Sequence, residues 1–222
     1  MSAAIVSSAS RYSTSYLRKR NLLLFLLVAM DWFALDFYSK AYASGFTLGE
    51  RFAGPFFGLF DFRLVHNTGG AFGAFEGAPL VLGGLSVAVC AFVVFYLVKL
   101  APRSSVPMVI GLGLVFAGGL GNVVDRFSYG YVVDFIEPLF IEFPVFNVAD
   151  IGVTCGLVIV FLTYLLEGKR QADVRLAAEA EQQEGLERPQ TTDPEPATEP
   201  VPPRRERRII TPPELEDEDD AQ

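Results

Sequence analysis

The chain has 222 residues, 51% hydrophobic and 20% charged, with 20 Phe, one His and a formal net charge of -8. That balance suits a membrane protein better than an ordinary soluble domain. A lone His66 and two Cys, Cys90 and Cys155, both inside apolar runs, exclude a disulfide framework, a structural zinc site and a metalloprotease.

The charge is unevenly placed. Residues 1–170 carry 12 Lys/Arg against 11 Asp/Glu, whereas residues 171–222 carry 6 against 15, so the acidic excess belongs to the tail.

Taken in chain order, residues 1–20 form an N-terminal segment holding Arg11, Arg18, Lys19 and Arg20. The first apolar stretch, about 21–39, is long enough to cross a bilayer. Its basic flank and Ala41-Tyr42-Ala43 resemble a cleavable signal peptide, but Asp31 and Asp36 argue for a retained helix, because carboxylates are costly in a signal peptide's apolar segment.

The connection 40–78 is Gly-rich and aromatic. Within it FDFRLV (60–65) alternates Phe60, Phe62 and Leu64 against Asp61, Arg63 and Val65, which predicts a short strand with one apolar face. NTGGAFG (67–73) lacks the Lys-Ser/Thr ending of a phosphate loop.

Two further spans follow at about 79–99 and 106–124, and the last at about 150–166. Between the third and fourth lies YVVDFIEPLFIEF (131–143), too polar and Pro-broken to span, yet apolar enough to lie in the interface and cover something. Past Arg170, Pro, Glu and charge dominate, and RRERR (204–208) reads as a solvated charge run.

The fold class is therefore an all-α integral membrane protein of four transmembrane helices, with a small extracytoplasmic β/loop element and a disordered C-terminal tail. The expected division is 1–20, a membrane domain over 21–171, and a tail over 172–222. Basic residues before helix 1, between helices 2 and 3 (Lys99, Arg103) and after helix 4 (Lys169, Arg170) predict both termini in the cytoplasm. Everything polar and unusual then lies on the outer face.

On that face, helix 3 ends at Asp125 and helix 4 begins at Asp150. Each is preceded three positions earlier by Asn, in N122-V-V-D125 and N147-V-A-D150. Residues three apart share a helix face, so each Asn can help orient its Asp. Either Asp alone reads as a helix cap or interfacial anchor. Two at matched depth in a low-dielectric site can share a proton and serve as base and acid, as in an aspartic peptidase.

DFYSK (36–40), NTGGAFG (67–73), GGLGNVVDR (118–126) with VVDF (132–135), and FNVAD (146–150) resemble, in order, spacing and placement at helix ends, the successive blocks of the lipoprotein signal peptidases, or signal peptidase II. The resemblance covers about residues 21–167. It implies cleavage of bacterial prolipoproteins just before the lipid-modified cysteine, with Asp125 and Asp150 as the catalytic aspartates. Asn67, Gly69, Ala71 and Phe72 fall on the first outer-loop block, and Asn122, Arg126 and Asn147 on residues lining the site. Asp36 and Lys40 match a block that supports structure or substrate binding, and Asp134 matches the block after Arg126.

Phe37 and Ile151 depart from the family's commoner polar residue and Ser, without removing a catalytic group. The implied partners are lipid-modified prolipoproteins and membrane lipid, with no nucleic acid, no metal and no cofactor. The implied setting is the bacterial cytoplasmic membrane, as a monomer.

Other chemistries fit less well. Ser39 and Lys40 are adjacent and would point apart on a helix, Ser128 has no base beside it, and His66 and Cys155 read as structural. A proton-coupled transporter using the two Asp is the rival from another class, but neither inverted repeats nor mid-membrane helix breaks are found. A non-catalytic scaffold would leave the paired Asn/Asp motifs unexplained.

Overall fold

The computed structural model describes residues 2–70, 74–100 and 104–187, with side chains over 15–70, 74–99 and 104–183. Ala71 and Phe72 lie outside the described residues. The elements run α1 (Ser2–Ala43), β1 (Arg51–Phe56), β2 (Phe60–Asn67), α2 (Pro79–Leu100), α3 (Val106–Tyr129), β3 (Val132–Pro138) and α4 (Val148–Glu187). Among the described residues, four helical stretches are long and apolar enough to cross a membrane: Ser15–Ala43, Pro79–Lys99, Val106–Tyr129 and Val148–Gln183.

The third span is 56% buried against 17–22% for the other three, so α3 is the central helix. Phe25 and Ala29 of α1 and Val93 and Leu97 of α2 pack on Met108, Val109, Leu112, Val115 and Ala117 of α3. On the other flanks, Leu26, Leu27, Met30, Leu85, Phe92, Phe161 and Leu162 are exposed, as expected of lipid-facing surfaces. The molecule is a multi-pass membrane protein.

Glycine sets how closely these helices approach. A Cβ at Gly118 would overlap the Ala149 carbonyl oxygen of α4, and one at Gly121 would overlap Asp36 Oδ2 of α1. In lipid, where apolar burial gives no drive to associate, small residues that let backbones meet are a main source of packing energy. This answers part of what GGLG does before the polar residues of α3.

The expected strand over 60–65 is β2, and it is the centre of an antiparallel sheet ordered β1-β2-β3. Its hairpin to β1 closes through Leu59 N–H donating to the Phe56 carbonyl at 2.9 Å, with Phe57 and Gly58 at φ 53° and 71°, the left-handed pair a tight two-residue turn requires. On the other edge Val65 pairs with Asp134, His66 with Val133 and Asn67 with Val132. Ala43, Leu64, Val133 and Phe135 form a second core that seats the sheet on the end of α1. The segment 131–143 thus contributes a strand, where the sequence suggested an interfacial cover.

The tail expectation needs correction over 172–187, which continues α4 as helix to Glu187. RQADVRLAAEAEQQ is rich in strong helix formers. Residues 188–222 lie outside the described residues. The chain divides into two compact units, 1–175 and 176–222.

Candidate active site

The site is assembled from the start of α4 upward. Asn147 precedes the first turn; its Oδ1 accepts the Asp150 backbone N–H at 3.0 Å, and Asp150 Oδ2 accepts the Asn147 backbone N–H at 3.2 Å. This reciprocal pair is a capping box, which satisfies donors that a helix start leaves unpaired. The expected Asn147–Asp150 partnership is present, in backbone-mediated form. Asp150 Oδ1 also accepts Asn122 Nδ2 at 2.8 Å. Asn122 therefore serves the aspartate of the neighbouring helix, and not Asp125 on its own.

Asp134 arrives from the opposite side. Gly130, at φ 79°, caps α3 by donating its N–H to the Arg126 carbonyl, the left-handed cap that only Gly takes without strain. The chain then reverses into β3, and pairing with β2 fixes which way each residue points. Asp134 is 2% exposed; its Oδ1 accepts Asn147 Nδ2 at 2.7 Å and its Oδ2 accepts Asn67 Nδ2 at 2.9 Å. Burial, reinforced by the negative charge of Asp150, pushes its carboxyl up to about 7, against the pull of the Asn67 and Asn147 hydrogen bonds and the Lys40 charge.

Asp125, expected to face Asp150, is held elsewhere. Its Oδ2 accepts the Val133 backbone N–H at 3.1 Å and lies 3.0 Å from Lys40 Nζ. Lys40 also pairs with Asp36 Oδ2 at 2.9 Å and donates to Asn122 Oδ1 at 3.0 Å. Asp36 Oδ1 accepts the Ala149 backbone N–H at 2.8 Å. This cluster ties α1, α3, β3 and the first turn of α4 together and lines a cleft of about 130 Å³.

Asp134 and Asp150 instead line a cavity of about 460 Å³ with Asn67, Asn122, Arg126, Val132, Phe143 and Ile151. The reason is topological: the turn at Gly130 folds the chain back, so the strand residue reaches over Asp125 toward α4. Arg126 donates to the carbonyls of Gly69 and Asn122, each at 3.4 Å, and its Nε is a buried donor without an acceptor among the described residues. Gly69 N–H donates to Asn67 Oδ1 at 2.9 Å, which orients the Asn67 amide toward Asp134.

One smaller expectation changes. Cys155 is exposed and lines the cavity, in contrast to buried Cys90. His66 stacks on Tyr131 with ring centroids 3.8 Å apart, the structural role expected of it. No cluster of three or more His, Cys, Asp or Glu with metal-binding geometry occurs among the described residues.

The residue that sequence reasoning undervalued is Asp134. VVDF carries no helical or alternating period, and only the pairing of β3 with β2 reveals where its side chain goes. A buried acid near neutrality beside a second acid, in an apolar cavity with several amide donors, can hold one proton between two carboxyls and activate a water.

The family model described as Signal peptidase (SPase) II matches residues 28–166. A lipoprotein signal peptidase from Gloeothece citriformis is 41% identical over 140 residues, 62% of this chain and 86% of that one. Another, from Syntrophus aciditrophicus, is 37% identical over 162 residues, 69% of this chain and 99% of that one. Among solved structures, a bacterial membrane enzyme determined by the in meso method at 2.3 Å resolution superposes with a TM-score of 0.60 at 27% identity, covering 66% of this chain and 90% of its own. With that match spanning the four membrane helices and every carboxylate of the site, the chain belongs to the signal peptidase II family of aspartic peptidases.

Proposed function

We propose that this peptidase removes signal peptides from prolipoproteins with Asp134 and Asp150 as its catalytic pair, in place of Asp125 and Asp150. The observation that carries this is the shared cavity, which Asp134 and Asp150 both line and from which Asp125 is drawn away by Lys40 and the Val133 N–H. A water between the two carboxyls loses a proton to the ionised member as it attacks the scissile carbonyl, while the protonated member donates to the carbonyl oxygen. The roles exchange as the tetrahedral intermediate collapses and the amine leaves with a proton. No metal or cofactor is needed for these steps.

Each remaining residue takes a supporting part. Asn67 and Asn147 orient Asp134, Asn122 and Asn147 orient Asp150, and Arg126 adds positive charge at the cavity wall. Gly69 sets the Asn67 amide, and Ala71 and Phe72, outside the described residues, keep the supporting part that the family resemblance implies. Asp125, with Asp36 and Lys40, anchors β3 against the helices.

The substrate reading follows from the cavity's surroundings. Its walls on α4 are Ile151, Val153 and Thr154, within a membrane span. An apolar signal helix can lie there while the diacylglyceryl chains of the modified cysteine stay in lipid. Cleavage falls just before that cysteine. The basic residues on alternate connections favour cytoplasmic termini, with the sheet end at the extracytoplasmic face of the bacterial cytoplasmic membrane. The peptidase domain is 21–171, acting as a monomer with no nucleic-acid partner, and the tail after it is dispensable for chemistry.

The test is direct. Purified protein in detergent is incubated with a lipidated prolipoprotein and with the same precursor lacking lipid. A shortened product from the lipidated form alone, unaffected by chelators and absent in Asp134→Asn and Asp150→Asn, is the expected result. Full activity in either Asn variant would end the proposed pairing.

A further inference from the structure

Asn122 touches the surroundings of both acids, and an amide has two unlike ends. Its Oδ1 accepts from Lys40 Nζ at 3.0 Å and from Asn147 Nδ2 at 3.1 Å, and its Nδ2 donates to Asp150 Oδ1 at 2.8 Å. Turning the amide over would place its NH2 against an ammonium that can only donate, and would leave Asp150 Oδ1 without that N–H. Asn147 does not impose this orientation unaided, because its Nδ2 also donates to Asp134 Oδ1 at 2.7 Å and to the Val133 carbonyl at 3.3 Å. The constraint comes from Lys40.

Lys40 is 4% exposed. It is faced by Asp36 from its own helix and by Asp125 from α3. Asp134 in turn is faced by Asp150 from α4 and by the charges of Lys40 from α1 and Arg126 from α3, with neutral Asn67 from β2. Lys40 is thus a buried cation within electrostatic reach of the catalytic cavity but outside its lining.

We propose that Lys40 is a positioning residue for the cleavage, acting through the Asn122 amide on Asp150 and through its charge on Asp134. This rests on the Asp134–Asp150 reading. A Lys that merely neutralised Asp36 and Asp125 would contribute to folding alone. A Lys that also acts on the pair leaves a signature in the pH profile, because its field favours the ionised form of Asp134. Removing the charge makes the pair hold its protons more tightly, so both limbs of the bell-shaped profile move to higher pH.

The experiment measures kcat and kcat/KM against pH for lipidated prolipoprotein, using full-length protein in detergent. Lys40→Met should lower kcat by about ten- to a hundredfold, as expected when a reacting group is misaligned, and shift the bell upward by roughly one unit. Lys40→Arg keeps the charge and should leave the bell in place while lowering kcat. Since Lys40→Met strands two buried acids, the comparison is repeated in Asp36→Asn with and without Lys40→Met, where the α1 ion pair is removed together.

A Lys40→Met profile, or a double-variant profile, that superimposes on its reference with unchanged kcat overturns the proposal. That outcome is distinct from failure of the underlying reading, which would show as cleavage by Asp134→Asn in the same assay.

Discussion

Two pairs of acids lie at the sheet end of the helix bundle, and they meet different fates. Asp36 and Asp125 enclose the Lys40 ammonium at 2.9 and 3.0 Å; Asp134 and Asp150 share a cavity and are contacted directly by amide N–H groups. In the first pair each charge is compensated, and the result is a tie between elements. In the second neither carboxyl forms an ion pair with a Lys or Arg among the described residues, and Asp134 is driven toward neutrality by burial and by its neighbour. Residue type and depth do not separate structure from chemistry here. The nearest cation does.

The sharpest break in that comparison is substitution of the cavity pair. Asp150→Asn and Asp134→Asn keep shape but remove the titrating proton, so each should lower cleavage by about 10²–10⁴-fold with folded protein retained. Asp125→Asn keeps an acceptor for the Val133 N–H and should leave measurable cleavage, while costing about 1–3 kcal/mol of stability through the weakened contact with Lys40. Thermal unfolding in detergent, run beside the activity assay, separates the two effects. If folded Asp125→Asn were as inactive as Asp134→Asn, the division between tie and chemistry would fail.

The pH dependence sharpens the same contrast. Asp134 titrates near 7 in the folded chain and near 3.8 ordinarily, so the folded state binds its proton more tightly than the unfolded state. Its contribution to stability is therefore greatest below about pH 4 and is lost as pH rises through about 7. Activity should decline above about pH 7 as the shared proton leaves. The melting temperature should carry a component falling over pH 4–7 that disappears in Asp134→Asn.

Smaller effects test the supports. Gly121→Ala would drive a methyl into Asp36 Oδ2 and should cost about 1–3 kcal/mol, as overpacking does, read as a lowered unfolding midpoint. Deleting 172–222 should leave cleavage unchanged. Loss of activity in a truncated protein that inserts normally would give the tail a part in the reaction.

How far the sequence could be read depends on the range of the forces involved. The spans were legible because hydropathy is local, and β2 was legible because one face of FDFRLV is apolar. β3 was not, since Val132, Val133, Asp134 and Phe135 are all buried and no alternation survives. The extension of α4 was masked by the charge of a segment whose Ala, Glu, Gln and Leu favour helix regardless. Asp125 and Asp150 were paired from their shared depth and their Asn three positions before. What reassigned Asn122 to Asp150 and brought Asp134 to the cavity was strand register and the reversal at Gly130, neither of which is encoded within a window of neighbouring residues.

The capping box at Asn147 and Asp150 has an evolutionary consequence. The same two side chains begin a membrane helix and, in the proposed mechanism, hold or carry the chemistry, so a change in either is felt at once by insertion, folding and turnover. Selection has little room to trade one against the other by small steps. Drift in this chain should therefore accumulate on the lipid-facing helix surfaces and in the tail, while NVAD changes only when another solution for both tasks arrives together.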